Sequence, residues 1–331
     1  MKTVALTGSQ GFIGSYICQD LLSNGYGVIG IDNYSKYGFI ARPQDKHKNF
    51  TLLRCDISDY FPVIEADYII AGAAMIGGIS YFHKHAYDLL SCNEKIVCNT
   101  MDFAIKSFQA GILKRLVMIS SSMVFENTNI YPTPEEEINH CSVPSSTYGF
   151  QKLCCEYFCK GANEQYNLPY TIVRPFNCVG VGEDKALSKD TITVGNTKLM
   201  LSHVLPDLIN KALALKANDS LPILGLGNQV RHYTNGKDIA RGIRLALESE
   251  NAINNDFNIS SDRPTTVEEL AKIVWNKIHG CDPKLVFETP FEYDVQTRSP
   301  AVEKAREILG FECIISLEES VDEVINYMRS K

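Results

Sequence analysis

Tyr148 and Lys152 stand four residues apart, and Ser120, Ser121 and Ser122 precede the tyrosine by 26 to 28 residues. On a helix, a Tyr and a Lys at this spacing share one face, one turn apart. A phenol titrates near pH 10 unaided and is a poor base at neutral pH. An ammonium close by favours the phenolate, and a serine hydroxyl brought in from a strand end can share the substrate proton. Such a trio suits proton transfer to or from a hydroxyl while a hydride leaves the same carbon. A solvated Tyr/Lys pair on a long helix would show the same spacing, so the trio needs support from elsewhere in the chain.

The N-terminus supplies that support. Val4–Thr7 is a short apolar β run, followed by the glycine turn Gly8-Ser9-Gln10-Gly11-Phe12-Ile13-Gly14. An amphipathic helix with Ile17, Leu21 and Leu22 comes next, then a second β run from Gly27 to Ile31 that ends in Asp32. Glycines let backbone approach a pyrophosphate, and a helix N-terminus stabilises its charge. The acid closing the second strand accepts a ribose 2′-OH, which favours NAD over NADP because a 2′-phosphate would meet a carboxylate.

These features resemble the extended short-chain dehydrogenase/reductase family, and within it the nucleotide-sugar epimerase/dehydratase branch with its UDP-glucose 4-epimerase-like members. The resemblance spans essentially the whole chain. Thr7-Gly8-x-x-Gly11-Phe12-Ile13-Gly14 matches the branch's opening motif, and Cys55-Asp56-Ile57 its adenine-reading segment. Ala71-Gly72-Ala73-Ala74 matches the strand end beside the nicotinamide half. Arg174-Pro175-Phe176-Asn177 is similar to the family's Arg-x-Phe-Asn element, whose asparagine faces the sugar diphosphate; Arg231 and Arg298 stand where members hold the pyrophosphate.

The resemblance therefore implies NAD contacts at Gly8, Gly11, Phe12, Ile13, Gly14, Asp32, Asn33, Asp56, Ile57, Ala71, Ala73, Ser120, Tyr148 and Lys152. It implies catalytic roles for Tyr148, Lys152, Ser121 and Ser122. Substrate contacts fall to Met123, Asn177, Arg231 and Arg298, with Gly78 and His83 added from the unusual segment 75–85. The ligand it implies is a nucleotide sugar, a UDP-hexose by preference, and the assembly a homodimer formed through the helices at 86–109 and 147–166.

The branch also frames the reaction. Its members oxidise the sugar, usually at C4, to a transient 4-keto form, and neighbouring side chains decide the fate of that intermediate. Dehydratases and decarboxylases carry a Glu two residues after the catalytic Ser/Thr, and 3,5-epimerising members a Cys. With Val124 aligned to the family's Val-Tyr pair, Ser121 is the catalytic hydroxyl and Met123 holds the variable position. A thioether exchanges no protons near neutral pH, which favours simple C4 epimerisation. Phe125 replaces a common tyrosine and Glu126 follows where glycine is usual. Glu126 is then either a sugar-facing acid/base or a solvated loop residue. A dehydratase or decarboxylase using Glu126, His83 or Cys178 is the alternative reading.

Alternating signals place strands at 2–7, 27–32, 50–54, 67–71, 115–120 and 170–175, and helices at 12–24, 86–109 and 147–166, with a weaker one at 58–64. This is the order of a doubly wound parallel α/β sheet of Rossmann type, with a smaller α/β substrate lobe. Residues 1–178, with a returning segment at about 230–261, form the NAD-binding part; 179–229 and 262–331 form the lobe. Residues 179–200 read as a long loop at the cleft, and 294–309 as a helix.

At 331 residues, 45% apolar and 21% charged, the chain can bury full cores. A net charge of −7 without a basic cluster argues against nucleic acid, and no apolar run reaches membrane-spanning length. The first strand starts so early that no export signal precedes it, so the eleven cysteines read as reduced thiols of a cytoplasmic protein. Cys154, Cys155 and Cys159 lack zinc-site spacing and read as packed thiols. No metal is expected.

Overall fold

A computed structural model of the chain describes residues 1–76, 85–183, 191–194, 197–200, 203–289 and 295–330. Seven parallel strands form the main sheet. Six are β1 (Thr3–Thr7), β2 (Gly27–Asp32), β3 (Phe50–Arg54), β4 (Tyr68–Ala71), β5 (Arg115–Ile119) and β6 (Tyr170–Pro175). The seventh, Asn255–Ile259, arrives late in the chain, and the spatial order is Asn255–Ile259, β6, β5, β4, β1, β2, β3. Chain order reverses between β1 and β4, and the crevice at such a switch point is where parallel α/β sheets bind ligands. Central strands covered on both faces read as unbroken apolar runs; β5 is Arg-Leu-Val-Met-Ile and wholly buried.

Three helices position the site. The first, α1 (Phe12–Ser23), starts directly from the glycine turn, while α2 (Ala86–Gln109) and α3 (Thr147–Tyr166) pack side by side on the other face. Helix α3 begins where Ser146 accepts a bond from Gly149 N through its side chain, and ends at Asn167 in the left-handed region. A second cluster gathers Leu205, Leu208, Trp275, Val321 and Ile325. Beside it, strand Ser220–Leu224 pairs in parallel with Lys284–Glu288.

Three expectations change. Residues 58–64 form no helix: Asp59 N bonds to Asp56 O in a tight turn, and Pro62 cannot continue a helix. The 294–309 helix shrinks to Glu303–Leu309, behind an extended stretch that contains Pro300, and Asp294 lies outside the described residues. Within 179–200, Thr191–Val194 pairs antiparallel with Thr197–Met200, as β-branched Thr191, Ile192, Thr193 and Val194 favour.

Candidate active site

A cleft of about 740 Å³ opens along the carboxyl ends of the strands at the switch point. Its floor is the glycine turn. Gly8 has φ +76°, its N–H donates to Ile31 O, and Gly11 N–H returns to Gly8 O at 3.0 Å. A β-carbon on Gly14 would lie 2.0 Å from Gly8 O. Only hydrogen fits there, so the turn stays tight and α1 presents its N-terminus to the cleft. Phe12 and Ile13 line the same wall.

Asp32 ends β2 at the cleft, its Oδ2 accepting from Gln10 N at 2.9 Å and its Oδ1 from Tyr34 N at 2.8 Å. Burial pushes its carboxyl up, and those two N–H groups pull against the rise. Asn33 donates to Asp56 Oδ2 at 2.8 Å. Burial works to raise the Asp56 carboxyl, but bonds from Ser58 and Asn33 outweigh it and hold the group low. Ile57, Ala73 and Asp56 complete this end of the cleft.

Ala71 is the exception among the expected cofactor contacts. It closes β4 and packs against the core beneath α2 and α3, away from the main cleft. Thr7, which opens the glycine motif, and Asn93, which no motif singled out, shape the loop beyond it. Thr7 Oγ1 accepts from Gly72 N and Ala73 N, both at 3.0 Å. Buried Asn93 on α2 bonds both Met75 N and Met75 O.

The trio converges on the opposite wall. Tyr148 and Lys152 are 5% and 6% exposed, which removes the solvated-pair reading. The Lys152 ammonium donates to Ile119 O at 3.0 Å and lies 6.0 Å from the Tyr148 ring centroid. Ser121 caps a short 3₁₀ turn, Ser122–Phe125, by accepting from Met123 N. Ser122 and Met123 line the cleft beside it. Ser120 also lines it, but its hydroxyl donates to Glu156 at 2.6 Å. Tyr148 also packs with the apolar side chains of Leu89, Met123, Ile76 and Val295.

Asn177 follows β6 with φ +35°, and its buried Nδ2 has no hydrogen-bond partner among the described residues. An amide proton left bare in a cleft wall suits an oxygen-rich ligand. Arg231 is pinned, donating to Val230 O, Gln296 O and Val295 O. Arg298 N donates to Val230 O, so the two arginines share one wall. Gly78 and His83 lie outside the described residues. Lys36 and the ion pair Lys211–Asp207 line the cleft too. The i,i+4 spacing of that pair was visible in the sequence, but nothing there said which way it faced. Glu126 does not reach the cleft; it bonds Ser146 instead. Burial pushes the Cys178 thiol up. Among the described residues no group of three or more His, Cys, Asp or Glu could hold a metal ion.

The cradle fits a dinucleotide: a turn too tight for a β-carbon, a helix N-terminus, and a carboxylate at the end of the second strand. Comparison with known proteins agrees. The chain is 28% identical to a Thermotoga maritima UDP-glucose 4-epimerase solved with UDP-glucose, covering 99% of each chain with a TM-score of 0.82. It is 25% identical to a UDP-N-acetylglucosamine 4-epimerase from Methanobrevibacter ruminantium solved with UDP-N-acetylmuramic acid, covering 99% of this chain and 98% of that one, with a TM-score of 0.80. It is also 24% identical to UDP-glucuronic acid decarboxylase 1 of Xenopus tropicalis, over 100% of this chain and 73% of that protein. The model of the NAD dependent epimerase/dehydratase family matches residues 4–260. With more than half its length matched and the dinucleotide cradle in place, this chain belongs to the NAD-dependent epimerase/dehydratase family of enzymes.

Proposed function

We propose that the enzyme is a nucleotide-sugar 4-epimerase acting through a transient 4-keto sugar, with a UDP-hexose as its preferred substrate. When bound, NAD supplies a hydride acceptor that can return what it took. The residues of the chain would do the rest. Tyr148, held beside Lys152, takes the C4 hydroxyl proton and gives it back, and Ser121 and Ser122 orient that hydroxyl. Arg231, Arg298 and the bare amide of Asn177 hold the diphosphate end.

The observation that carries this reading is Met123 against Tyr148: the side chain at the variable position packs on the phenol and lines the cleft, and a thioether exchanges no proton. Glu126, the acid an elimination would need from this loop, is engaged with Ser146. Cys178 keeps its proton through burial. Neither group supports the dehydratase or decarboxylase reading.

The same reading takes 1–178 with about 230–261 as the NAD-binding part, 179–229 and 262–331 as the substrate lobe, the assembly as a homodimer, and the cytoplasm as its location. No described helix is long and apolar enough to cross a membrane.

The test is to incubate the protein with UDP- and dTDP-hexoses and separate the C4 epimers. Interconversion with the C5 proton retained is expected; a stable dehydrated or decarboxylated product overturns the reading.

A further inference from the structure

We infer that Glu126 is a positioning residue that sets the spacing between the two halves of the catalytic trio. One half is the 3₁₀ turn Ser122–Phe125, capped by Ser121 and closed by Glu126, whose N–H donates to Met123 O at 3.2 Å. The other half is the first turns of α3, carrying Tyr148 and Lys152. The two halves come from segments more than twenty residues apart, so tertiary contacts alone set their separation.

Glu126 makes the central contact. Its Oε2 accepts from Ser146 N at 3.0 Å and from Ser146 Oγ at 2.7 Å. The same serine hydroxyl accepts from Gly149 N at 3.0 Å, so the carboxylate is coupled through one side chain to the helix N-terminus. A carboxylate is electrostatically favoured at that end of a helix. Steric contact reinforces the bonds. A β-carbon on Gly149 would lie 2.7 Å from Met123 O and 3.0 Å from Glu126 Oε2, so turn and helix meet backbone to backbone. Asn127 extends the seam, donating to Val143 O at 2.7 Å and to Ser145 Oγ at 3.1 Å.

A proton shared between a serine hydroxyl, a phenol and a sugar hydroxyl tolerates little misplacement, and an ångström can cost on the order of a hundredfold in rate. Arg231 is held by the carbonyls of Val230, Val295 and Gln296, and Arg298 by its N–H on Val230 O, none of them part of this seam, so loosening it changes turnover and spares substrate binding. The inference rests on the C4 reading above.

The test measures kcat and KM for C4 epimerisation, together with the single-turnover absorbance of reduced bound cofactor. E126A should lower kcat by about ten- to a hundredfold with KM within about twofold. E126Q keeps both bonds through its amide oxygen and should recover kcat to within about threefold. S146A keeps the backbone bond to Glu126 and loses the hydroxyl one, so it should lower kcat in the same direction by less, and the double variant should be no slower than E126A. An E126A enzyme with unchanged kcat and a lowered Tm overturns the inference, because the residue would then serve stability alone. E126Q as slow as E126A also overturns it, since the carboxylate would then act by its charge or its proton. Should E126A fail to fold, S146A carries the same decision. Failure of the parent reading looks different: there the unmodified protein interconverts no C4 epimers at all.

Discussion

Arg174 and Glu156 meet through two parallel hydrogen bonds, Nε to Oε1 at 2.8 Å and Nη2 to Oε2 at 2.7 Å, with neither side chain exposed. The same Oε1 takes the Ser120 hydroxyl at 2.6 Å. Asp256 adds a second carboxylate to Arg174 at 2.7 Å, and Lys304 pairs with Asp256. Burial alone would lower the Arg174 guanidinium, but Glu156 and Asp256 outweigh it and hold the charge in place. The network joins β6, α3, the strand Asn255–Ile259 and the serine at the end of β5 directly behind the trio.

Deleting one partner of such a pair strands the other charge in the core. Arg174→Met should therefore cost about 3–5 kcal/mol of unfolding free energy. Replacing both partners, R174M with E156L, should recover part of that loss, because no charge is then left uncompensated. Urea denaturation of the three proteins checks both statements. A double variant less stable than R174M would show that the charges themselves specify the packing.

The glycine turn gives a second prediction. A β-carbon at Gly14 would sit 2.0 Å from Gly8 O, 2.9 Å from Gly8 C and 3.1 Å from Ser9 Cα. All of these are backbone atoms, so Gly14→Ala must push the turn open. NAD affinity should fall by at least about tenfold, since the pyrophosphate depends on close approach of these amides. Titration of the apo protein with NAD, followed by fluorescence or calorimetry, measures this directly.

Lys36 lines the cleft, and burial there pulls its ammonium down to about 8. Its unfolded value is 10.5, so between pH 8 and 10.5 the unfolded chain holds a proton that the folded one has lost. Unfolding free energy therefore rises with pH across that window; below it the charged lysine is a cost to the folded state. Lys36→Met should stabilise the apo protein at pH 7, by at most about 3 kcal/mol, and the gain should vanish as pH approaches 10.5. Denaturation of both proteins at pH 7 and pH 10 tests the sign. An equal gain at both values would point to the methionine's apolarity rather than to the lost charge.

The outer faces of α2 and α3 leave large apolar groups in the open. Tyr157 is 66% exposed, Phe150 41% and Tyr87 80%. If these helices form the proposed homodimer contact, Tyr157→Glu should place a charge in a dry interface and shift the protein to monomer. Sedimentation velocity at micromolar concentration distinguishes the two states.

Much of the fold was legible because the signals were local. The apolar runs of β1, β4 and β5 and the periodic patterns of α1, α2 and α3 act on their own neighbourhoods, and each predicted an element within a residue or two. Where the reading failed, the reason was also local. Asp56 diverts the backbone after β3 into a side-chain-capped turn, which competes with the helix that 58–64 otherwise suggests. Pro300 stops the 294–309 pattern short.

The site divided along a different line. The types of Tyr148, Lys152, Ser121 and Met123, with their spacing and the glycine turn, were readable from the chain alone, because bond chemistry and helix periodicity travel with residue identity. Direction was not. That Ala71 turns into the core, that Lys36, Asp207 and Lys211 turn into the cleft, and that Glu126 turns to Ser146 were settled only by packing. Side-chain direction depends on which distant segment arrives alongside, and a linear sequence carries no distance between residues 126 and 146. The amino-acid order thus determined the chemistry available to this enzyme, and the tertiary structure decided which groups could reach one another to use it.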